Sequence, residues 1–207
     1  MVKELVERIR QKDQQTEQRG QSQTCLQTAE SRRMKTESQR AMSQFYQMYV
    51  EELSSVCYRY VPSGEDAKDV LQNSFVKIFT SISAMEYRGE EAFKGWLVRI
   101  VANEALLFLR EKKKLLFIEQ DDAKAQQTHI EDEAPDTELI SADQLHQLIS
   151  ELPDGYRIVL NLYVFENYSH RQIAGLLGIK ESTSASQLHY AKQWLARRIK
   201  ELTNKQG

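Results

Sequence analysis

One short stretch in the second half of the chain holds the residues whose types and spacing point most directly to a chemical role. Ser169 and Gln172 have the spacing of a capping box, in which two side chains bind backbone amides at the start of a helix. Gly178 lies where that short helix would end in a left-handed residue, and Ile179 follows as an apolar plug. With the small Ala174 at the expected helix crossing, this order predicts a helix-turn-helix.

The helix after this corner would present its N-terminal turns to base edges in the major groove of DNA. Its apolar residues recur at helical spacing and are expected to face inward: Leu188, Ala191, Leu195, Ile199 and Leu202. Hydroxyl and amide side chains occupy its start, where they are expected to be exposed, and backbone amides there can hold a phosphate. We therefore expect DNA contacts from Ser169, Gln172, Ser182, Thr183, Ser184, Ser186, Gln187, Tyr190 and Lys192.

The helix pair and the basic residues that follow it can each be interpreted in a second way. Two helices with a glycine corner also form an αα-hairpin that has no role in DNA binding. The basic residues Arg197, Arg198 and Lys200 either contact phosphates or complement the dipole at a helix end while facing water.

Composition favours an all-α protein. The 207 residues include only three prolines and eight glycines, and leucines and isoleucines recur at three- and four-residue steps. No run of about 18 apolar residues and no apolar leader is present, so we expect a cytoplasmic protein. A helical nuclease or recombinase would need clustered carboxylates for a metal or a nucleophile with a base. The acidic residues are instead concentrated in residues 119–143, which argues against such an enzyme.

The cysteines and histidines give no support for a metal site or an enzyme. Cys25 and Cys57 are the only cysteines and lie in unlike surroundings, which indicates unrelated reduced thiols. The four histidines lack the spacing of metal ligands: His129, His146, His170 and His189. We therefore expect no enzymatic activity, no metal and no cofactor.

Charge divides the chain into parts. The net charge is -2, yet residues 119–143 contain nine acidic residues against the single base Lys124, so the remainder is positively charged. With Pro135 inside it, this stretch predicts a flexible acidic linker over 119–141, between a domain at 41–118 and one at 142–207. The alternative is a polar loop within one domain. Residues 1–40 are polar, and we predict a disordered or loosely helical extension because Leu5, Val6, Ile9 and Leu26 are too sparse for a core stripe.

Helical periodicity predicts three helices sharing one core in the first domain. The first helix ends before Pro62 and Gly64, and Ser63 with Asp66 resembles a capping box for the second. Its buried face would comprise Val70, Leu71, Phe75, Ile78, Phe79 and Ile82. After a turn at Arg88 and Gly89, the third would bury Phe93, Trp96, Leu97, Ile100, Val101, Leu107 and Phe108.

The second domain would open with a helix that buries Leu145, Leu148, Ile149 and Leu152. Pro153 and Gly155 predict a turn, and residues 158–165 predict a second buried helix that ends at Asn167. The helix-turn-helix follows directly.

These residues carry a resemblance to the extracytoplasmic-function (ECF) group of the sigma-70 family. Tyr60 to Gln72, with Phe75 and then Arg88-Gly89, resembles region 2, and Phe93, Trp96-Leu97, Ile100 and Asn103 continue the match. Leu152-Pro153 through the helix-turn-helix is similar to region 4. The resemblance implies a sigma factor that directs promoter-specific transcription initiation.

The resemblance also implies roles for particular residues. The second helix would dock on the clamp helices of the RNA polymerase β′ subunit through Asp66, Asp69, Gln72 and Phe75, although Phe75 suits the core equally well. The turn and third helix would bind the non-template strand of the minus-ten element, with Asn103 hydrogen-bonding an extruded base. The candidates there are Arg88, Phe93, Trp96, Arg99, Asn103, Arg110, Lys112 and Lys113, with Trp96 also suited to the core.

Two departures from the family limit what carries over. Leu107 stands where relatives often have Asp or Asn, so one polar contact near the melted strand is expected to be absent. Ala185, Gln187 and Tyr190 stand where many relatives have Arg or Lys, so minus-thirty-five readout would not follow the arginine-to-guanine pattern.

The implied partners are core RNA polymerase, through the β′ clamp helices and the β flap, promoter DNA, and a membrane-anchored anti-sigma protein. No small-molecule substrate is expected. The competing interpretation is a helix-turn-helix repressor or activator that dimerises on a palindrome, which would leave the first domain without a purpose.

Overall fold

The computed structural model describes residues 2–17, 25–112 and 140–204, and this part of the chain contains helices and no β-strand. The helices are α1 (Val2–Glu17), α2 (Cys25–Tyr60), α3 (Gly64–Ser81), α4 (Glu90–Glu111), α5 (Ala142–Glu151), α6 (Asp154–Leu160), α7 (His170–Leu177) and α8 (Glu181–Thr203). A π-helical turn, Asn161–Phe165, continues α6. Two compact units divide the chain, one of residues 1–57 and 65–104 and the other of 58–64 and 105–207. The predicted all-α fold with two helical domains is confirmed, whereas most of the predicted linker lies outside the described residues.

The core of the first unit is built around Phe45 of α2. Its ring centroid lies 4.8 Å from that of Tyr49, 5.5 Å from that of Phe79 in α3 and 6.0 Å from that of Phe93 in α4. The pairs with Phe79 and Phe93 are edge-to-face, and such pairs each add about 0.5–1.5 kcal/mol beyond the burial of their area. One aromatic side chain therefore joins the three helices that the periodicity predicted to share a core.

The inward side of α4 differs from the prediction near its end. Leu107 is 46% exposed, and Leu106 and Leu109 are buried in its place. Successive residues turn by about 100° around a helix, so position 107 lies about 120° away from the buried Val101. Leu107 was wrongly predicted to face inward, because apolar character alone does not fix its side of the helix.

The N-terminal segment also differs from the prediction. Val2, Leu5, Val6 and Ile9 of α1 are all buried, with Val6 and Ile9 each 1% exposed. Their spacing is that of one apolar helical stripe, i, i+3, i+4 and i+7. The prediction that the apolar residues here are too sparse for a core stripe is therefore wrong for Leu5, Val6 and Ile9, because Val2 completes the stripe and a neighbouring helix covers it.

In the second unit, α5 and α6 meet at a proline. Pro153 is the N-cap of α6, so Gly155 lies inside the first helical turn and not in the predicted turn. The buried side of α6 ends at Leu162, and Tyr163, Val164 and Phe165 are 38%, 46% and 39% exposed. The predicted buried helix over 158–165 is thus wrong for its last turn. There the Glu166 amide donates to the Asn161 carbonyl at 3.2 Å, and the three exposed residues lie within this wider π turn.

Candidate nucleic-acid interface

The start of the first helix of the helix-turn-helix is fixed by a capping box. Ser169 Oγ accepts a hydrogen bond from the Gln172 amide at 3.3 Å, and Gln172 Oε1 accepts one from the Ser169 amide at 2.9 Å. This confirms the predicted cap. Both side chains were also proposed as DNA contacts, and the structure shows that each already serves the backbone of α7.

The corner between α7 and α8 has the predicted left-handed residue. Gly178 has φ 71° and ψ 31°, and its amide donates to the Ala174 carbonyl at 2.9 Å. The Ile179 amide reaches the same carbonyl at 3.1 Å. A residue with a Cβ pays a conformational penalty in this region, so glycine here sets the angle at which α8 leaves α7.

Two glycines near this corner allow a matched test of that backbone argument. An added Cβ meets nothing within 4 Å at Gly178 or at Gly175, so packing contributes to neither substitution. We expect Gly178→Ala to lower the free energy of unfolding by about 1–2 kcal/mol, because alanine is strained at positive φ. Gly175→Ala, inside α7, should raise it by about 0.5–1 kcal/mol. Urea unfolding of both variants measures this, and a shift of the same sign in both would contradict it.

The N-terminal turns of α8 are less exposed than predicted. Ser184 is fully buried and Gln187 is 9% exposed, so the prediction that both face solvent is wrong. Ser184 Oγ lies 3.0 Å from His170 Nδ1 of α7. A Cβ at Gly155 would lie 3.3 Å from Gln187 Nε2, so that glycine leaves room for the Gln187 amide. Both side chains join helices within the unit and do not form a DNA-facing surface.

The sequence held a signal for this burial. Ser184 and Gln187 stand at i and i+3 of a series that Leu188 and Ala191 continue at i+4 and i+7, and all four are buried. Polar type suggested an outward position, whereas helical register decided the inward one. Gln187 Oε1 has no hydrogen-bond partner among the described residues.

The outward side of α8 consists of other residues. Ser182, His189 and Lys192 are exposed, and Thr183 and Ser186 are half-buried. We call Ser182, Ser186, His189 and Lys192 the recognition face, because their spacing places them on one side of the helix. We predicted no DNA contact for His189, because the histidines were considered only as metal ligands. Tyr190 is half-buried with its ring centroid 6.0 Å from that of Tyr156, and burial, then Tyr190, raises the pKa of Tyr156.

In the basic run near the end of α8, Arg198 fits neither predicted interpretation, because it forms ion pairs within the unit. Arg198 pairs with Glu201 at 2.7 Å and with Glu151 of α5 at 3.2 Å. Hydrogen bonds to these two carboxylates raise its pKa, Glu201 first. Arg197 and Lys200 are exposed. Arg198 therefore serves to join α8 to α5.

Four of the candidate minus-ten residues, Arg88, Arg99, Asn103 and Arg110, lie on the outward side of α4 or in the loop before it. Arg99 and Asn103 are exposed one helical turn apart, and Arg88 is exposed and paired with Glu86 at 2.6 Å. Arg110 is exposed and donates a hydrogen bond to the Leu176 carbonyl. Lys112 Nζ lies 4.6 Å from the Phe108 ring, and Lys113 lies outside the described residues.

The two aromatic candidates of α4 differ in position. Phe93 is 1% exposed, and its ring centroid lies 6.0 Å from that of Tyr49. Phe93 is therefore a core residue, and its prediction as a DNA contact is wrong because no face of the ring is open to a base. Trp96 is half-buried and stacks on Phe93 with centroids 5.8 Å apart. Its exposed part remains available for stacking.

The candidate polymerase-binding residues of α3 also include both exposed and buried side chains. Asp69 and Gln72 are exposed and Asp66 is partly exposed. Phe75 is 5% exposed, and its ring centroid lies 4.7 Å from that of Tyr46. Of the two interpretations of Phe75, the structure therefore supports the core.

Cys57 has no role in this surface. Its thiol is buried in α2, and burial raises its pKa to about 12. A thiol that stays protonated at neutral pH is a poor nucleophile and a poor metal ligand.

Comparison with known proteins identifies the family. The family model described as Sigma-70 region 2 matches residues 45–115, and the one described as Sigma-70, region 4 matches residues 142–195. Together the two matches cover more than half of the chain. Among the described residues, no helix is both long and apolar enough to cross a bilayer.

Several curated proteins are similar over most of their length. RNA polymerase sigma factor SigV of Bacillus subtilis (strain 168) is 29% identical over 136 residues, which is 66% of this chain and 77% of that protein. ECF RNA polymerase sigma factor SigW of the same organism is 23% identical over 180 residues, 83% of this chain and 95% of that protein. The ECF RNA polymerase sigma-E factor of Haemophilus influenzae is 27% identical over 179 residues, which is 82% of this chain and 93% of that protein.

A solved structure, that of CnrH in complex with the cytosolic domain of CnrY, aligns with a TM-score of 0.42 and 18% identity, over 79% of this chain and 90% of that one. The two family matches and the curated relatives show that the chain belongs to the ECF group of the sigma-70 family. Members of this family direct promoter-specific transcription initiation and are not enzymes by themselves.

Proposed function

We propose that the chain binds core RNA polymerase through α3, captures the non-template strand of the minus-ten element on α4, and contacts the minus-thirty-five element with the start of α8. The observation that carries the proposal is the exposed pair Arg99 and Asn103 on α4, inside the part matched to region 2. An amide and a guanidinium one turn apart offer a base contact and a phosphate contact on one helix side.

The proposed polymerase-binding surface consists of Asp66, Asp69 and Gln72 on α3. Spacings of three residues place them on neighbouring turns of one helix side. Asp66 lies in the first turn of α3, where the helix dipole favours a carboxylate. The negative surface suits basic groups on the polymerase, and the β′ clamp helices are the proposed site of contact.

On α4, the proposed DNA contacts serve different parts of a melted strand. Asn103 would hydrogen-bond the edge of an extruded base, and the exposed part of Trp96 would stack on a base. Arg88, Arg99, Arg110 and Lys112 would lie along the phosphates. Leu107, exposed on the same helix, would add an apolar contact where the family often has a polar one.

The proposed minus-thirty-five contact surface has fewer positively charged side chains than the proposed strand-binding surface on α4. The recognition face contains one lysine, Lys192, with two hydroxyl groups and an imidazole. Lys180, the N-cap of α8, gives no side-chain cap to the first turn, which suits a phosphate oxygen at those amides. We expect modest intrinsic DNA affinity from this domain, with docking on polymerase and its β flap supplying much of the binding.

An anti-sigma protein, anchored in the membrane, is the proposed regulator, and the cytoplasm is the proposed location because core polymerase acts there. Recovery of the chain from cells by affinity pull-down should yield a second partner besides polymerase. A pull-down that recovers polymerase subunits alone would argue against this regulator.

Binding experiments with core polymerase separate the proposed function from a palindrome-binding repressor. We expect the purified chain to co-elute with core RNA polymerase in size-exclusion chromatography, and the complex to shift promoter DNA in a gel. The chain alone should shift the same DNA only weakly. A strong shift of palindromic DNA by the chain alone, without binding to core enzyme, would favour the repressor instead.

A further inference from the structure

Helix α1 lies outside both matched parts of the chain, the first of which begins at residue 45. We propose that α1 is a brace that holds the loop between α3 and α4, residues 82–89, in position for the minus-ten strand. Arg10 is the positioning residue of this brace. The inference rests on the proposed function, because it assigns α1 a part in capturing the strand.

The apolar stripe of α1 attaches the helix to the first unit. Leu5 and Ile9 are 5% and 1% exposed. Leu5 and Arg8 line a surface cavity together with Gln44 and Met48 of α2, so the two helices lie side by side there. Burial of four apolar side chains fixes the position of α1, and hence the position from which Arg10 reaches the loop.

Arg10 binds two backbone carbonyls just after the end of α3. Its Nε donates to the Ile82 carbonyl at 3.0 Å, and its Nη2 donates to the Met85 carbonyl. The last carbonyls of a helix lack partners within that helix, and a cation beyond this end is favoured by the helix dipole. The planar guanidinium can donate in two directions at once and so fixes both the helix end and the loop.

The braced loop leads directly to the proposed DNA surface. The Ile82 amide donates to the Ile78 carbonyl at 2.9 Å and the Ala84 amide to the Ser81 carbonyl at 3.2 Å, which secures the first part of the loop to α3. Arg10 adds an anchor at Met85, after which the loop continues to the exposed Arg88 and to Gly89, with φ 111°. A loop held in place before binding loses less conformational freedom when it takes up a strand.

The test uses the full chain bound to core polymerase, with Arg10→Ala and the matched control Lys3→Ala. Lys3 is exposed on the same helix, and its replacement by alanine removes one positive charge, as Arg10→Ala does. Three quantities are measured: amide hydrogen exchange of residues 83–89, affinity for core enzyme, and affinity of the holoenzyme for the single-stranded non-template strand of a promoter fragment selected with it.

For Arg10→Ala we expect exchange in the loop to be faster by about tenfold and strand affinity to fall about fivefold, as loss of a charged hydrogen-bond donor implies. Core affinity should stay within about twofold, and Lys3→Ala should change none of the three beyond that. Unchanged exchange, unchanged strand affinity, or an equal fall in core and strand affinity would overturn the brace. If the wild-type holoenzyme binds no promoter strand, the proposed function is wrong. The exchange measurement still tests the brace by itself, because unchanged exchange in Arg10→Ala would show that Arg10 does not hold the loop.

Discussion

Replacing Asn103 with alanine is expected to reduce the formation of open promoter complexes by about tenfold to a hundredfold. Asn103 is exposed on α4, within the part of the chain matched to Sigma-70 region 2, and alanine removes both the donor and the acceptor of its amide. Bidentate contact of a side chain with a base contributes about 1–3 kcal/mol of discrimination, and 1.4 kcal/mol corresponds to a factor of ten. Permanganate reactivity of unpaired thymines in the holoenzyme complex measures the open fraction.

The matched control for this prediction is Asn204→Ala. Asn204 is an exposed asparagine at the end of α8, where the same side-chain change lies far along the chain from the proposed strand-binding helix. We expect the control to open promoters as the wild type does, and both variants to bind core polymerase equally. Normal opening by Asn103→Ala would remove Asn103 from the strand-binding surface.

Replacing Arg157 with alanine is expected to destabilise the second unit by about 3 kcal/mol. The Arg157 side chain is 4% exposed and forms an ion pair with Asp154, and its Nη1 donates to the Leu152 carbonyl at 2.7 Å. Alanine leaves that carbonyl without its donor and leaves the Asp154 carboxylate without its cation. The 36% exposure of Asp154 permits some hydration, which keeps the expected loss at the lower end for a broken buried pair.

Fluorescence of a single tryptophan can measure this loss in the full chain. The two tryptophans are Trp96 in α4 and Trp194 in α8, so a Trp96→Phe background leaves Trp194 to report on the second unit. Arg171→Ala, which removes an exposed arginine of α7, is the matched control and should change stability by at most about 0.5 kcal/mol. Equal urea midpoints for the two arginine variants would show that the buried guanidinium contributes nothing net.

The corner of the helix-turn-helix could be predicted from sequence because local chemistry determines it. A serine and a glutamine three residues apart satisfy each other's backbone amides, and Gly178 relieves a strain that any side chain would meet. Neither feature depends on distant parts of the chain. The same local character explains why the start of α7 and its end at Gly178 agree with the prediction.

The residues of α8 show where polar type gives a poor prediction. Ser184 and Gln187 were placed on the DNA side because serine and glutamine are usually exposed. Their burial depends on a histidine of α7 and on the space beside Gly155 of α6, which only the packed unit provides. Phe93 shows the converse, since an aromatic residue that could stack on a base is instead enclosed by other rings.

The packing of helix α1 was missed for a related reason, since this segment was predicted to be disordered or only loosely helical. Its four apolar residues are few within a polar segment, and a short amphipathic helix gains most of its stability from the surface it covers. The regular spacing of Val2, Leu5, Val6 and Ile9 was the available signal. Arg10, by contrast, has no signature in sequence, because its partners are backbone carbonyls more than seventy residues away.

Run-off transcription tests whether the chain directs promoter-specific initiation. Core RNA polymerase is incubated with fragments of genomic promoter DNA, with and without the purified chain, and the transcripts are compared. We expect discrete transcripts from a small set of promoters only when the chain is present, and far fewer with Asn103→Ala at equal core binding. Identical transcripts with and without the chain, or absence of any transcript although the chain is bound to core enzyme, would contradict its role in promoter-specific initiation.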